Sequence, residues 1–176
     1  MKKKYNIALR PRTKDQQVIE LAHQFFHLAN SYLLGPQSLP HVTLCHFHAE
    51  EKDLSTLWEK TIEAIKPEKI QLTFSKFSYN SYNKTMYWIS LLPDHFAELK
   101  KWHLSIAEII KEPVNRSYDL YDPHMTLLNT RHDSAHAIVQ RVAEKFQPVT
   151  DEFYLALGAT DEAGQFVETI FSRTLA

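Results

Sequence analysis

The sequence predicts an α+β fold of two lobes, in which two antiparallel-rich sheets backed by helices face each other across a central groove. Two observations predict it. Segments with the period of a strand and segments with the period of a helix follow one another in a similar order in each half of the chain. The pentapeptide PHVTL at 40–44 also returns as PHMTL at 123–127. We therefore expect an imperfect internal duplication with pseudo-two-fold symmetry, forming a single bilobal domain over residues 1–176.

The elements are predicted in the following order along the chain. Alternating polar and apolar residues predict strands at 5–9, 40–48, 70–77, 86–91, 123–127, 152–159 and 165–175. Apolar residues at helical spacing predict helices at 15–34, 53–65, 93–111 and 134–146. Gly35-Pro36 is expected to end the first helix, and Pro93 is expected in the first turn of the third.

The composition limits the class of protein. A hydrophobic content of 44% with 23% charged residues is typical of a globular protein, and a net charge of −1 disfavours nonspecific binding to a long duplex. Cys45 is the single cysteine, which favours a reducing compartment, and we find no signal peptide or membrane span. Because there are only three glycines, the glycine motifs of nucleotide-cofactor and serine-hydrolase sites are absent. We predict a cytoplasmic monomer with no membrane partner.

The paired pentapeptides carry the candidate site. His41 and His124 are 83 residues apart (124 − 41), and Thr43 and Thr126 have the same separation (126 − 43). Side chains alternate between the faces of a strand, so each histidine shares a face with its threonine while the apolar residues between them face a core. Two such strands side by side would bring two imidazoles and two hydroxyls to one cleft.

This set of groups suits a phosphodiester. Hydrolysis needs a water deprotonated on one side of phosphorus and a leaving oxygen protonated on the other, and histidine can do either near its ordinary pKa of about 6.5. Threonine hydroxyls can donate hydrogen bonds to the non-bridging oxygens. We predict His41 and His124 as catalytic residues and Thr43 and Thr126 as phosphate-binding residues, with no metal and no cofactor. The symmetry leaves open which histidine is the acid and which is the base.

Two other interpretations of the motif histidines remain open. A hydrogen-bonded pair of histidine and threonine in a strand is commonly only structural. A metal site would instead recruit both histidines together with Asp119 or Asp122.

Four further histidines are weaker candidates. His23 and His27 lie four residues apart on the first predicted helix, a spacing that could hold a metal, although a helix-surface pair is the simpler interpretation. His46 and His48 follow the first motif, and strict alternation predicts that they face away from His41.

The two H-x-T-L motifs resemble the signature of the two-histidine (2H) phosphoesterase superfamily. This superfamily includes RNA 2′,3′-cyclic phosphodiesterases, bacterial RNA 2′,5′-ligase-like proteins, and cyclic phosphodiesterases that act on ADP-ribose 1″,2″-cyclic phosphate. The stretch YDPHMTLL at 121–128 is most similar to the second motif of the cyclic phosphodiesterase branch. The ligase-like branch usually has an arginine five positions after that histidine, where this chain has Asn129, with Arg131 two residues further on. The resemblance implies the bilobal 2H fold and a cyclic phosphate as substrate.

Residues that contact the rest of the substrate are sought among aromatic and basic side chains near strand ends, because bases stack on aromatic rings. The aromatic candidates are Tyr79, Tyr82, Trp88, Tyr118 and Tyr121. Tyr121 is preferred because it closely precedes the second motif, and Lys84 or Arg131 could add positive charge near the phosphate. We predict Tyr121 and Arg131 as substrate-binding residues.

These observations predict a metal-independent phosphodiesterase that opens a cyclic phosphate to a monoester. The substrate would be a 2′,3′-cyclic nucleotide or RNA end, or ADP-ribose 1″,2″-cyclic phosphate. Two alternatives are an RNA 2′,5′-phosphodiesterase or ligase-like enzyme, and a nonenzymatic module that binds an RNA end or nucleotide in the same groove.

Overall fold

A computed structural model describes residues 1–81, 85–110, 113–114 and 120–175. Within these ranges the strands are β1 (Lys3–Pro11), β2 (Val42–Ala49), β3 (Ile70–Ser81), β4 (Tyr87–Pro93), β5 (Met125–Thr130), β6 (Val149–Thr160) and β7 (Phe166–Arg173). The α-helices within the same ranges are α1 (Asp15–His23), α2 (Leu54–Ile65), α3 (Ala97–Ile109) and α4 (Ala135–Ala143). The predicted α+β class is confirmed.

The strands form one antiparallel sheet in the order β2-β1-β6-β3-β4-β5, and β7 also pairs with β6. β6 belongs to both halves, because residues 149–153 pair with β3 and residues 153–159 pair with β1. The two predicted sheets are therefore joined into one hydrogen-bonded sheet through this shared strand. β2 and β5, which carry the motifs, lie at opposite ends of the strand order yet contact each other, so the sheet curls until its ends meet.

Each half of the molecule receives a helix from the other half. α1 follows β1 in the chain but packs against β5, and α3 follows β4 but packs against β2. The apolar motif residues Val42, Leu44, Met125 and Leu127 are buried in the core, and this leaves the alternate side chains of both motif strands to face the cleft. No helix in the described ranges is long and apolar enough to span a membrane.

The first predicted helix is too long, because α1 ends at His23 and not near residue 34. Residues 30–34 instead run beside β5. The backbone N–H of Asn30 donates to the carbonyl of Asn129 (2.9 Å), and the N–H of Leu34 donates to the carbonyl of Leu127 (2.8 Å). Pairing with the free edge of β5 satisfies these main-chain groups, so a long-range contact outweighs the helical spacing of the sequence.

The start of the third predicted helix is also displaced. Pro93 is the last residue of β4 rather than a residue of α3, which begins at Ala97. The N–H of Asp94 donates to the carbonyl of Thr73 (2.8 Å), so main-chain pairing with β3 continues past the proline. A proline at the end of a strand loses no hydrogen bond of the ladder when its missing N–H would point away from the partner.

Candidate active site

The four motif residues meet in one cleft. His41 immediately precedes β2 and Thr43 is its second residue, while His124 immediately precedes β5 and Thr126 is its second residue. All four line a cavity of about 180 Å³. The curl of the sheet is what brings these distant segments together. Their catalytic and phosphate-binding roles remain predictions.

Both imidazoles are oriented in the same way. Nδ1 of His41 lies 2.7 Å from the carbonyl oxygen of Leu39, and Nδ1 of His124 lies 2.6 Å from that of Asp122. A carbonyl oxygen can only accept, so Nδ1 carries the hydrogen in each ring. Nε2 is therefore the nitrogen left to exchange a proton with a ligand, and it holds a lone pair when the ring is neutral.

The two histidines differ in their surroundings. His41 is only 6% exposed and packs against Phe166, with 5.3 Å between the ring centroids, whereas His124 is half-buried. Burial lowers the pKa of His41 to about 4, and the positive charges of His124 and Arg10 act in the same direction. The hydrogen bond to Leu39 acts in the opposite direction and is outweighed. His41 is therefore neutral at pH 7.

Arg10 on β1 holds the surroundings of His41 in place. Its buried guanidinium forms a 2.6 Å salt bridge with Asp15, and its Nε–H donates to the carbonyl of Pro40 (3.3 Å), the residue before His41. The same cation lies 5.9 Å from the ring centroid of Phe166. The sequence analysis missed Arg10, because its contacts depend on segments that are distant along the chain.

Each threonine hydroxyl accepts a hydrogen bond from its own half of the molecule. Asn6 on β1 donates Nδ2–H to Thr43 Oγ1 (2.9 Å), and Ser90 on β4 donates to Thr126 Oγ1 across a longer distance of 3.5 Å. An accepting hydroxyl keeps its own hydrogen to donate, so both threonines can donate into the cleft. Asn6 and Ser90 were also missed, since nothing in their local sequence indicates which strand they face.

Matching β-bulges follow the two motifs. Ile7 pairs with Cys45 but the next residue, Ala8, pairs with Thr43, which makes Leu44 an extra residue in β2. In β5, Leu127 is the extra residue, because the β4 neighbours Ile89 and Ser90 pair with Leu128 and Thr126. A bulge shifts the alternation of side chains by one residue.

The bulge corrects one prediction about the cleft. His46 was predicted to face away from His41, but it lines the same cleft as His41 and Thr43. Strict alternation fails here because Leu44 and Cys45 are both buried and the pattern resumes one residue out of step. His48, two residues further along, is exposed and is not among the residues that line the cleft.

Tyr121 is buried and makes contacts that join the two motifs. Its hydroxyl donates to the backbone carbonyl of Thr43 (2.7 Å), and its ring stacks on His103 with centroids 4.3 Å apart. Tyr121 lies beside a second cavity rather than in the cleft around the motif pairs. Tyr121 thus contacts the Thr43 backbone and lines the second cavity, and its predicted role in substrate binding stays a prediction.

The other predicted contacts are distributed as follows. Trp88 lines the cleft, while Tyr79 stacks on Tyr87 with centroids 4.7 Å apart and is not part of the lining. Arg131 is exposed just after β5 and does not line the cleft either. The remaining candidates lie outside the described residues, namely Tyr82, Lys84, Tyr118 and Asp119.

The end of the cleft near Trp88 contains groups that the sequence analysis missed. Tyr32 packs edge-on against Trp88 with 5.5 Å between ring centroids, and Ser78 and Asn80 of β3 line the same region. Tyr32 reaches the cleft because residues 30–34 leave the helical path and run beside β5. Had the end of α1 been predicted at His23, Tyr32 would have been a candidate for the cleft.

Metal-binding groups are not clustered in the part of the chain that the structure describes. No three side chains of histidine, cysteine, aspartate or glutamate in those ranges are grouped so that they could hold a metal ion. Nε2 of His23 lies 3.0 Å from the carbonyl oxygen of Leu34, so the predicted His23 and His27 pair has one of its imidazoles engaged with the backbone.

The chain is similar to known proteins over most of its length. A family model described as the 2′-5′ RNA ligase superfamily matches residues 14–156. No curated protein matches the sequence. A structure of E. coli LigT complexed with 3′-AMP is similar at 12% identity and a TM-score of 0.62, covering 99% of this chain and 98% of that chain.

Two other solved structures are similar. E. coli LigT complexed with ATP has 13% identity and a TM-score of 0.64, covering 100% of this chain and 99% of that chain. Kluyveromyces marxianus Usb1 has 12% identity and a TM-score of 0.55, covering 99% of this chain and 97% of that chain. At these identities the likeness establishes the fold alone.

Proposed function

This chain belongs to the 2′-5′ RNA ligase superfamily, and on that premise we propose that it is a metal-independent phosphodiesterase that opens a cyclic phosphate to a monoester. The predicted membership of the two-histidine phosphoesterases is confirmed by the family match. The observation that carries the proposal is that two histidines and two threonines from separate halves line one small cleft. General acid–base catalysis of this kind needs two proton-transferring groups and donors for the phosphoryl oxygens.

In this proposal the two histidines have different roles, because their environments differ. His41 is the general base, because burial keeps it neutral and leaves a lone pair on Nε2. It takes a proton from water as the water oxygen bonds to phosphorus. The bond from phosphorus to one ester oxygen of the ring then breaks, and protonated His124 donates its Nε2 proton to that oxygen. One water is consumed, and the products are a phosphate monoester and a free hydroxyl on the same sugar.

The threonines bind the phosphoryl group in this reaction. Thr43 and Thr126 each donate a hydroxyl hydrogen to a non-bridging oxygen, where negative charge increases as water attacks. Asn6 holds the Thr43 hydroxyl through the 2.9 Å hydrogen bond, and this leaves the hydroxyl hydrogen directed elsewhere. The bulges after both threonines support the same geometry in the two halves.

The substrate is a nucleotide or an RNA end with a cyclic phosphate, or a related cyclic phosphate of ADP-ribose. The similar LigT structures contain 3′-AMP, ATP and NADP⁺, which supports a nucleotide ligand by analogy. The cavity of about 180 Å³ is small beside the roughly 300–1,000 Å³ of pockets that enclose drug-sized ligands, so it suits the phosphate and sugar. Trp88 and Tyr32 offer an aromatic end for the base. The shared strand β6 supports action of the whole chain as one bilobal domain.

A linear 2′,5′-phosphodiester is the second candidate substrate. A cavity of about 210 Å³ adjoins the cleft, and the two share Thr43, His46, Asp122 and His124 in their linings. A linear diester has a nucleoside on each side of phosphorus, whereas a cyclic phosphate has only one, so two adjoining spaces favour this alternative. A ligase-like reaction would use the same groups with a 5′-hydroxyl in place of water: its oxygen bonds to the phosphorus of a cyclic phosphate, one bond from phosphorus to a ring oxygen breaks, and that oxygen takes a proton.

The test is hydrolysis of a 2′,3′-cyclic mononucleotide and, in parallel, of a 2′,5′-linked dinucleotide. We expect wild-type protein to open the cyclic phosphate, with no loss of rate in EDTA. His41→Ala and His124→Ala should each reduce the rate by about 10²–10⁴, while the exposed His48→Ala should not. Preferential cleavage of the dinucleotide would favour the second candidate. Binding of either ligand without turnover by wild-type protein would support a nonenzymatic module instead and would contradict the proposal.

A further inference from the structure

The internal duplication makes His46 and Asn129 equivalent positions. They are 83 residues apart (129 − 46), the same offset that relates the motif histidines. Each is the first residue after the bulge to face the cleft side of its strand, His46 opposite Asn6 and Asn129 opposite Trp88. Two residues in equivalent places can therefore be compared directly.

The side-chain amide of Asn129 makes three hydrogen bonds within the protein. Its Oδ1 accepts from the backbone N–H groups of Ser31 and Tyr32 (both 2.9 Å), and its Nδ2–H donates to Ser31 Oγ (3.0 Å). Asn129 thereby holds the segment beside β5, and it is buried. Its polar atoms have a structural explanation.

His46 has no such explanation. Among the residues that the structure describes, neither of its ring nitrogens has a hydrogen-bond partner, and Nε2 is buried. The ring edge packs under the β6–β7 turn, where a Cβ at Gly164 would lie 3.3 Å from His46 Cε1 and 3.6 Å from Nε2. Since Nε2 is enclosed, Nδ1 is the nitrogen left for a ligand in the cleft. Because Nδ1 has no hydrogen-bond partner among the described residues and the side chain lines the cleft, a ligand there can pair with it.

The surroundings of His46 favour the neutral ring. Burial is the largest cause and lowers its pKa to about 3, and the positive charge of Lys4 acts in the same direction. Lys4 is held nearby, where its Nζ donates to the carbonyl of Glu162 in the β6–β7 turn (3.2 Å). A neutral imidazole has one N–H and one nitrogen lone pair, so His46 can donate one hydrogen bond and accept another.

We propose that His46 is a binding residue that hydrogen-bonds the ribose hydroxyl freed beside the phosphate when the cyclic phosphate opens. The inference rests on the proposed function, because it takes the phosphate to lie between the two threonines. His46 shares the cleft with both motif pairs and lies on the same strand as Thr43, three residues further on. The inference places the sugar attached to the phosphate along this strand.

A hydroxyl fits His46 better than a phosphoryl oxygen does. A hydroxyl can both donate and accept, so it pairs with Nδ1 in either tautomer, whereas a phosphoryl oxygen only accepts. An anion would also favour a protonated ring, which the burial and the neighbouring cations oppose. The ribose carries a hydroxyl next to the phosphate once a cyclic phosphate has opened, and a deoxyribose analogue lacks it.

The experiment measures binding of two pairs of monophosphates by calorimetry at pH 7. One pair is adenosine 2′-monophosphate and its 3′-deoxy analogue, and the other is adenosine 3′-monophosphate and its 2′-deoxy analogue. Each ligand is titrated into wild-type protein, His46→Phe, His46→Gln and the exposed control His48→Phe. Turnover of 2′,3′-cyclic AMP is measured on the same preparations, so failure of the proposed function is seen separately from failure of this inference.

In wild-type protein, removal of the hydroxyl should weaken binding by about tenfold in at least one pair, the size of a lost hydrogen bond that leaves its partner unpaired. In His46→Phe that ratio should fall to about one, in His46→Gln it should lie between, and in His48→Phe it should equal the wild-type ratio. The acid limb of the pH–rate profile should be the same in His46→Phe as in wild type. An unchanged ratio in His46→Phe, or a wild-type ratio near one in both pairs, would overturn the inference.

Discussion

The two halves of the cleft present the same chemical groups but hold them differently. In the first half, His41 is buried against Phe166 and the Thr43 hydroxyl accepts a 2.9 Å hydrogen bond from Asn6. In the second half, the histidine is half-buried and its threonine receives only a 3.5 Å contact from Ser90. Duplication supplies matching groups, and the proposed function gives the two copies different roles because their burial differs.

The position after each bulge shows the same divergence. Asn129 holds residues 31 and 32, whereas the imidazole of the equivalent His46 has no hydrogen-bond partner among the described residues. The position after the bulge therefore stabilises the fold in β5, whereas in β2 we propose that it binds a ligand. A sugar phosphate is itself asymmetric about phosphorus, with water attacking on one side and a sugar oxygen leaving on the other, so a symmetric site would suit it less well.

The largest effect that distinguishes the halves is expected from the threonines. Thr43→Val should lower kcat by about 10²–10³, the range for loss of one donor to a developing anion. Thr126→Val should cause a smaller loss, because its hydroxyl is held less firmly. Steady-state kinetics on a cyclic nucleotide measures both, with Thr43→Ser and Thr126→Ser as controls that keep the hydroxyl. Equal losses in the two valine variants would contradict the difference between halves.

The next effect concerns pH. Protonated His41 cannot take a proton from water, so kcat/KM should fall by about tenfold per pH unit below the pKa of His41 near 4. Phe166→Leu exposes the ring and should move this acid limb upward, toward the ordinary value of about 6.5. The measurement is kcat/KM between pH 3.5 and 8 for both proteins. An acid limb that stays in place in Phe166→Leu would show that burial of His41 does not set it.

A smaller effect is expected from the residues that hold the threonines. Asn6→Ala should lower kcat by about tenfold, because Thr43 loses a hydrogen bond that fixes its rotamer. Ser90→Ala should lower kcat less, because its contact with Thr126 is longer. Comparison of kcat for the two variants checks the prediction. A greater loss of kcat in Ser90→Ala than in Asn6→Ala would contradict the claim that Thr43 is held more firmly than Thr126.

The smallest effect is expected where the halves are joined. Tyr121→Phe removes the hydroxyl that ties the approach to the second motif to the Thr43 carbonyl. The free energy of unfolding should fall by about 1 kcal/mol, the net value of one hydrogen bond. Urea denaturation measures it, with Tyr79→Phe as the control, because the ring of Tyr79 stacks on Tyr87, a contact that this substitution keeps. An unchanged free energy of unfolding in Tyr121→Phe would show that this hydrogen bond does not stabilise the fold.

Local sequence was sufficient to predict the residues of the paired motifs. The types, the 83-residue offset and strand alternation identified His41, Thr43, His124 and Thr126 as neighbours in one cleft, and the order of elements predicted the α+β class. Each of these inferences depends on two or three adjacent residues, and strand geometry over so short a range is nearly invariant.

The rest depended on contacts between distant segments. Alternation failed at His46, because a bulge is set by the pairing of two strands and not by one strand alone. Helical spacing failed beyond His23, because residues 30–34 pair with the edge of β5. Arg10 and Asn6 act on the site from β1, across strand pairs that the sequence does not specify. The contacts of Arg10 and Asn6 depend on the register in which β1 pairs with its neighbouring strands.

The central claim is that His41 and His124 act together on one phosphate. The most direct measurement is kcat/KM on a 2′,3′-cyclic nucleotide for wild-type protein, His41→Ala, His124→Ala and the double variant. If the two histidines act as a unit, each single variant should lose about 10²–10⁴ and the double variant should lose little more. Losses that multiply in the double variant, or a single variant with wild-type activity, would contradict the account.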